Sequence, residues 1–138
     1  MEFEIEFDTG SDIATIRTRG VADAEGFNAY LTTLVSDPRW HPGMSTLTDH
    51  TALDAGHITA ADVEKLVDVH SRFAEAIGHG LSAIVTGSSL KFGLARMFEA
   101  HAEERLPNRL RIFATADEAL SWLRASEKEP ESEPRDRI

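Results

Sequence analysis

The sequence contains no cysteine among its 138 residues. Disulfide bonds, thiolate metal ligands and cysteine nucleophiles are therefore excluded. The absence is compatible with a reducing compartment, and the segment from Met1 to Phe7 is acidic where a secretory leader would be basic. We therefore predict a cytoplasmic protein.

Basic residues and long apolar runs are also scarce. Lys and Arg number 14 against 24 Asp and Glu, which gives a formal net charge of -10. Such a charge repels phosphate backbones and anionic lipid surfaces, so we expect neither nucleic acid nor a membrane surface as a partner. The uncharged stretch from Ile77 to Leu90 is broken by glycines and serines and falls short of the about 20 apolar residues of a membrane span. We expect no membrane-spanning segment.

The first 20 residues carry the pattern of a β-hairpin. Apolar side chains alternate with glutamate from Glu2 to Phe7, a period of two that predicts a strand with one apolar face. A turn cluster at 8–12 leads into a second strand from Ile13 to Arg19, so the two strands should pair antiparallel. In that arrangement Arg17 and Arg19 would face the glutamates, because opposite charges across strands are favourable.

Helices and strands then alternate along the chain. Helix-capping residues precede apolar residues at helical spacing in four segments, and turn or breaker residues follow them. These segments run from Asp23 to Pro38, Thr59 to Gly78, Ser88 to Pro107 and Thr115 to Leu123. The intervening strands are predicted at 44–49, 81–86 and 110–113. The strand at 81–86 is continuously apolar, so we expect it at the centre of the sheet with both faces covered by helices.

One domain is predicted for residues 1–125, since the chain has the usual length of a single domain. From 126 to 138 the composition turns to Glu, Pro, Ser and Arg. Too little apolar surface is left there to offset the entropy of ordering, so we predict a disordered tail.

The order strand, strand, helix, then three strand–helix units resembles the STAS domain, the SpoIIAA-like fold of bacterial anti-sigma-factor antagonists. The resemblance is carried by the segment from Arg111 to Leu123 and covers Phe3 to Leu123. It implies an α/β fold with a single SpoIIAA-like (STAS-like) domain, whose mixed five-stranded sheet starts with the antiparallel hairpin and continues with strand–helix units. It also implies a regulatory or accessory module without catalysis or cofactor.

The resemblance has one departure at the site that the antagonists phosphorylate. In that family the third strand ends in an aspartate, which Asp49 matches, and an Asp-Ser-Ser-Gly turn then presents a serine. The corresponding turn here, Asp54 to Gly56, contains no serine. Thr51 and Thr59 are the only substitutes nearby.

One candidate partner- or ligand-binding cluster lies after the predicted third strand. Asp49, His50, Thr51, Asp54 and His57 fall within nine positions, at the carboxyl end of the sheet, where open α/β folds bind ligands. A carboxylate beside an imidazole could also serve as a general base or a metal site. Surface loops collect the same residue types, however, and the spacing matches no metal motif, so we predict no metal ion and no catalytic residue here.

A second candidate cluster opens the third helix. Ser88, Ser89 and Lys91 could hold an anion, because free amides and the positive end of the helix dipole point at that loop. Ordinary helix capping is the more common reason for serine at this place, because its hydroxyl satisfies the free amides without a ligand.

Two histidines, His70 and His101, fall on apolar helical stripes. Each could line an internal pocket or be a buried histidine that bonds to the backbone. The leading hypothesis is therefore a non-catalytic module that binds another protein, or a second copy of itself, through a sheet edge or the face around the second and third helices. The alternative is a domain that binds a small apolar ligand or lipid, as in the fold-related CRAL-TRIO domains. An enzyme built on Asp49 to His57 ranks third.

Overall fold

Five strands and five helices follow one another along residues 1–128, the part of the chain that the computed structural model describes. The strands are β1 (Glu2–Phe7), β2 (Ile13–Val21), β3 (Ser45–Asp54), β4 (Leu81–Val85) and β5 (Arg109–Phe113). The helices are α1 (Ala24–Ser36), α2 (Ala60–Ser71), α3 (Ala74–Ile77), α4 (Ser89–Ala102) and α5 (Ala116–Lys128).

The strands form one mixed sheet in the order β1-β2-β3-β4-β5. Only β1 and β2 pair antiparallel, and the other neighbours are parallel. The predicted α/β class and the hairpin start are therefore confirmed. The prediction that β4 is central is wrong, because the hairpin adds β1 outside β2 and so makes β3 the middle strand. A continuous apolar run indicates that both faces of a strand are buried, and it does not indicate the position of the strand in the sheet. β4 is buried on both faces although it lies between β3 and the edge strand β5.

The hairpin carries its charges as the alternation predicts. Arg17 donates to Glu6 at 3.0 Å and Arg19 donates to Glu2 at 2.9 Å. Exposed pairs of this kind add less than about 1 kcal/mol each. They mark the solvent side of the hairpin, while Phe3 and Ile5 pack against the core on the other side.

Strand alternation gives the sheet two apolar faces. One face packs against α1, α2, α3 and α4 and includes Ala14 and Ile16 of β2. The opposite face includes Ile13 and Leu47 and packs against α5, which inserts the fully buried Leu123. Because neighbouring residues on a strand point to opposite faces, every second side chain of β4, and of β3 as far as His50, lies on the side of α1, α2 and α4.

Several boundaries differ from the sequence prediction, and three of them change how an element is described. Strand β3 runs five residues beyond Asp49 because it continues to pair with β2, up to the pair Val21–Asp54. The helix predicted from Thr59 to Gly78 is broken after Ser71, where Arg72 and Phe73 amides bond to carbonyls three residues back. Helix α5 reaches Lys128, past the predicted domain end at 125, and residues 129–138 of the predicted tail lie outside the described residues.

No helix in the described part of the chain is long and apolar enough to cross a membrane.

Candidate functional site

A cavity of about 110 Å³ lies between the sheet and the helices α1, α2 and α4. Most of its walls are apolar, and a few polar side chains interrupt them. The polar lining residues are Thr48, His50, His70, Ser82, Thr86, Lys91 and Asn108. Phe27, Leu53, Leu66, Ile84, Leu94 and Phe98 are among the apolar ones, and Tyr30 adds an aromatic ring that carries a hydroxyl. An apolar cavity with a few convergent polar groups is the usual form of a small-molecule site.

A β-bulge in β3 shapes one wall of the cavity. Arg17 lies opposite Asp49 but Arg19 lies opposite Ala52, so β3 has one residue more than β2 over this stretch. The extra residue reverses the alternation, and both His50 and Leu53 consequently line the cavity.

Lys91 completes the bulged part of β3. Beyond Asp49 no strand within residues 1–128 pairs with the β4 side of β3, because β4 ends at Val85 opposite Asp49. The Lys91 ammonium donates to the carbonyl oxygens of His50 and Thr51 at 2.9 Å each and of Leu53 at 3.0 Å. An ammonium has three N–H donors, so every donor of Lys91 forms a hydrogen bond to a β3 carbonyl. The lysine that the sequence assigns to an anion is thus engaged with the backbone.

Gly87 brings the start of α4 close to the bulge. Its φ of +75° lies in the left-handed region, and a Cβ there would approach Thr51 Cγ2 to 2.9 Å. Only glycine satisfies both conditions at low cost, so this residue allows Lys91 to reach β3.

His70 lies on α2, and one nitrogen of its ring is hydrogen-bonded to the helix backbone. Its Nδ1 is 2.7 Å from the carbonyl oxygen of Leu66. A carbonyl only accepts, so Nδ1 must carry the hydrogen. Burial lowers the pKa of His70 from 6.5 to about 4, so the ring is neutral near pH 7. It follows that Nε2 carries a lone pair, and this nitrogen bonds to nothing within residues 1–128.

His50 is held from the sheet side. Its Nδ1 is 2.7 Å from the Thr18 hydroxyl, whose oxygen also lies 3.3 Å from the carbonyl of Asp49. Burial, with a smaller contribution from His70, lowers the pKa of His50 to about 4. The two imidazoles flank the Phe27 ring, with centroids 5.5 Å and 6.0 Å from it. At neutral pH the cavity therefore contains two uncharged imidazoles among aromatic rings.

The hydroxyl groups of the cavity differ in their partners. Thr46 is not a lining residue, but it donates to Ser82, which lines the cavity, at 3.1 Å in a buried contact. Thr48, two residues later on the same face, is only 7% exposed, yet its hydroxyl has no hydrogen bond among the described residues. Asn108 Oδ1 is fully buried and has no partner among the described residues. Buried polar groups normally have partners, so these groups offer unused hydrogen-bonding capacity at the cavity wall.

The structure disperses the cluster predicted from Asp49 to His57. Asp49 and His50 are adjacent on a strand and point to opposite faces, and the Asp49 carboxylate accepts from the Thr51 amide instead. Asp54 accepts from the Gly56 amide, and His57 is exposed in the turn. No three His, Asp or Glu side chains within residues 1–128 are grouped to hold a metal ion. Within the described part of the chain, neither His50 nor His57 has a hydrogen bond to a carboxylate, so this cluster does not form the pair that a general base needs.

The remaining predicted residues lie outside the cavity. Ser88 is the N-cap of α4 and its hydroxyl accepts from the Lys91 amide at 3.3 Å, while Ser89 is the exposed first residue of that helix. His101 is exposed, with Nε2 3.9 Å from Glu64, because the buried stripe of α4 runs through Phe98 and Ala102 instead. The prediction that His101 lines the pocket is corrected accordingly.

Thr51 and Thr59, the substitutes for the missing serine, occupy different settings. Thr51 is exposed on the bulge and its carbonyl accepts from Lys91. Thr59 is the N-cap of α2 in a capping box with Asp62.

Sequence reasoning missed Thr48 and Asn108. Strand alternation could have identified Thr48, since it lies two residues before His50 and therefore on the same face of β3. Nothing local distinguishes Asn108, which follows Pro107 in the turn before β5.

Helix α4 also has an apolar strip that faces solvent. Leu90, Gly93, Met97 and Ala100, at positions i, i+3, i+7 and i+10, are all exposed, Leu90 by 54% and Met97 by 36%. We call these four residues the α4 strip. The buried side of the same helix carries Phe98, so α4 is apolar on two sides.

Comparison with known proteins supports the fold assignment. An uncharacterised DUF3478-family protein with a SpoIIAA-like fold from Shewanella loihica is 23% identical, with a TM-score of 0.55, over 88% of this chain and 92% of that one. The anti-sigma factor antagonist SpoIIAA in its unphosphorylated form is 19% identical, with a TM-score of 0.55, over 90% and 97%. The chain therefore has the SpoIIAA-like fold that its sequence predicts. No protein-family model matches it, and no curated protein matches it significantly.

Proposed function

We propose that the protein is a non-catalytic, STAS-type regulatory module that binds a partner protein through the α4 strip. The observation that carries the proposal is the second apolar side of α4. A helix packed on a sheet needs one apolar side, and Leu90 and Met97 lie outside it. Exposed apolar side chains in a row are typical of interaction surfaces.

The negative net charge of the chain favours a partner of positive charge. With a net charge of -10, two copies repel each other, whereas a basic partner is attracted. Gly93, in the middle of the strip, has nothing within 4 Å of where a Cβ would be, so a partner helix could approach closely. We therefore propose a basic protein as the partner in preference to a homodimer, and we place the interaction in the cytoplasm.

The proposal is tested by affinity capture from the host lysate with three forms of the full chain. Wild type and the control Val21→Ser, which removes an exposed apolar side chain from β2, should retain the same basic protein in stoichiometric amount. The double variant Leu90→Ser/Met97→Ser should lose it. Sedimentation velocity of the purified protein then tests self-association. A dimer that the double variant abolishes would replace the basic partner by a second copy, and equal capture by all three forms would contradict the strip.

The cavity favours a second function, the binding of a small apolar ligand. Its walls are mainly apolar. Its polar groups include Asn108 Oδ1, which is buried without a partner within residues 1–128, and the Thr48 hydroxyl, which makes no hydrogen bond to these residues. Native mass spectrometry of protein purified without detergent tests this function. Co-purified small molecules should be present in wild type and lost when Ala95→Trp fills the cavity.

A further inference from the structure

We infer that the cavity binds a neutral ring compound of the size of a phenol, which donates its single hydroxyl hydrogen to Nε2 of His70. This inference rests on the second function proposed above and names the chemical class of the ligand.

The size of the cavity limits the enclosed part of the ligand. The volume is about 110 Å³, and an engineered protein cavity of about 150 Å³ holds benzene. A single six-membered ring therefore fills the enclosed part of the cavity, and a small substituent such as a methyl group must lie at its open side. Phe27 and Phe98 line the cavity, and aromatic rings pack favourably against another ring in offset or edge-to-face contacts.

The electrostatics of the cavity favour a neutral ligand. His50 and His70 are uncharged near pH 7, and the three donors of Lys91 are taken by β3 carbonyls. A carboxylate entering this site would lose its hydration without gaining a free donor from Lys91. Burying an uncompensated charge is far more costly than burying a hydroxyl that finds a partner.

The free hydrogen-bonding groups of the cavity wall favour a ligand that carries a hydroxyl group. Nδ1 of His70 donates to Leu66, so Nε2 is fixed as an acceptor and needs a donor from the ligand. Thr48, 7% exposed and without a side-chain partner among the described residues, can donate in return. A hydroxyl group both donates and accepts, and a hydrocarbon of the same shape does neither.

The test measures binding of three probes of similar shape to the full chain at pH 7.5 by NMR titration. These probes are 4-methylphenol, toluene and 4-methylbenzoate. We expect 4-methylphenol to bind about tenfold more tightly than toluene, the factor that one buried hydrogen bond supplies, and 4-methylbenzoate to bind more weakly than either. The variant His70→Leu should reduce the preference for 4-methylphenol over toluene to about twofold or less, and His101→Leu, at an exposed position, should preserve it.

A second measurement is independent of how well the His70 variant folds. In wild type, 4-methylphenol should shift the ¹⁵N resonance of His70 Nε2, and toluene should not. Equal binding of toluene and 4-methylphenol would overturn the hydroxyl assignment and leave the apolar-ligand function standing. Stronger binding of 4-methylbenzoate would overturn the requirement for a neutral ligand. Absence of binding by all three probes would overturn the inference, and the second proposed function would fall with it only if native mass spectrometry also finds no co-purified molecule.

Discussion

The Lys91 ammonium lies 2.9 Å from the carbonyl oxygen of His50, on a part of β3 whose β4 side pairs with no strand of the described residues. The same nitrogen bonds to the carbonyls of Thr51 and Leu53, so one side chain takes the place of a strand. This contact joins the first turn of α4 to the cavity wall. It also explains why β3 can extend beyond β4 without leaving three carbonyls unpaired.

Replacement of Lys91 by methionine is therefore expected to destabilise the protein. Hydrogen bonds to charged groups are worth about 1.5–3 kcal/mol, and the loss here is shared among partly buried carbonyls that water can reach in part. We expect Lys91→Met to lower the free energy of unfolding by about 2 kcal/mol in urea denaturation. Lys65→Met, at an exposed position of α2, is the control and should change it by less than about 0.5 kcal/mol. Equal stabilities for the two variants would show that the Lys91 contacts are not maintained in solution.

Two glycines at the start of α4 should respond to alanine in opposite directions. Gly87 has a φ of +75° and a Cβ there would lie 2.9 Å from Thr51, whereas nothing is near Gly93 inside the helix. Gly87→Ala should cost about 1–3 kcal/mol from strain and contact. Gly93→Ala should gain about 0.5–1 kcal/mol from helix propensity. Thermal unfolding of both variants measures the difference, and Thr51→Ser in the Gly87→Ala background should recover part of the loss. A neutral Gly87→Ala would mean that the turn rearranges freely.

Part of this arrangement could be predicted from the sequence. Alternation in the hairpin predicted the pairing of Arg17 and Arg19 with glutamates, and the apolar stripe of α2 brought His70 to the cavity. These patterns depend on residues close in sequence. The bulge at His50 and Thr51 could not be predicted, because it arises from the pairing of β3 with β2, more than 30 residues away. His101 was misplaced for a related reason, since the packing of α4 against α2 decides which side of a two-sided apolar helix is buried.

Two threonines on the same face of β3 provide a test of whether the cavity is adapted for binding. Thr46 donates to Ser82 at 3.1 Å, and the Thr48 hydroxyl has no partner within residues 1–128. Valine has almost the same shape as threonine, so Thr46→Val should cost about 1 kcal/mol for the lost bond. Thr48→Val should leave stability unchanged or raise it by up to about 1 kcal/mol, because an unpaired hydroxyl is removed. Urea denaturation without added ligand distinguishes them. A loss for Thr48→Val as large as that for Thr46→Val would indicate that the Thr48 hydroxyl is already satisfied.

Acidification should destabilise the folded protein through the two cavity histidines. Burial lowers the pKa of His50 and of His70 to about 4 in the folded state, while an unfolded histidine has a pKa near 6.5. Between these values the unfolded chain binds more protons, so stability is complete above pH 6.5 and falls as the pH approaches 4. At pH 5 each ring should contribute a loss of about 2 kcal/mol relative to pH 7.5.

The measurement is urea denaturation of wild type and His70→Leu at pH 7.5 and pH 5.0. Both forms share the same carboxylates, whose titration therefore cancels in the comparison. The variant should lose about 2 kcal/mol less than wild type on acidification, because one of the two depressed imidazoles has been removed. Equal losses in the two forms would show that His70 is hydrated and protonates freely in the folded state, which would also remove the neutral character that the cavity needs for its ligand.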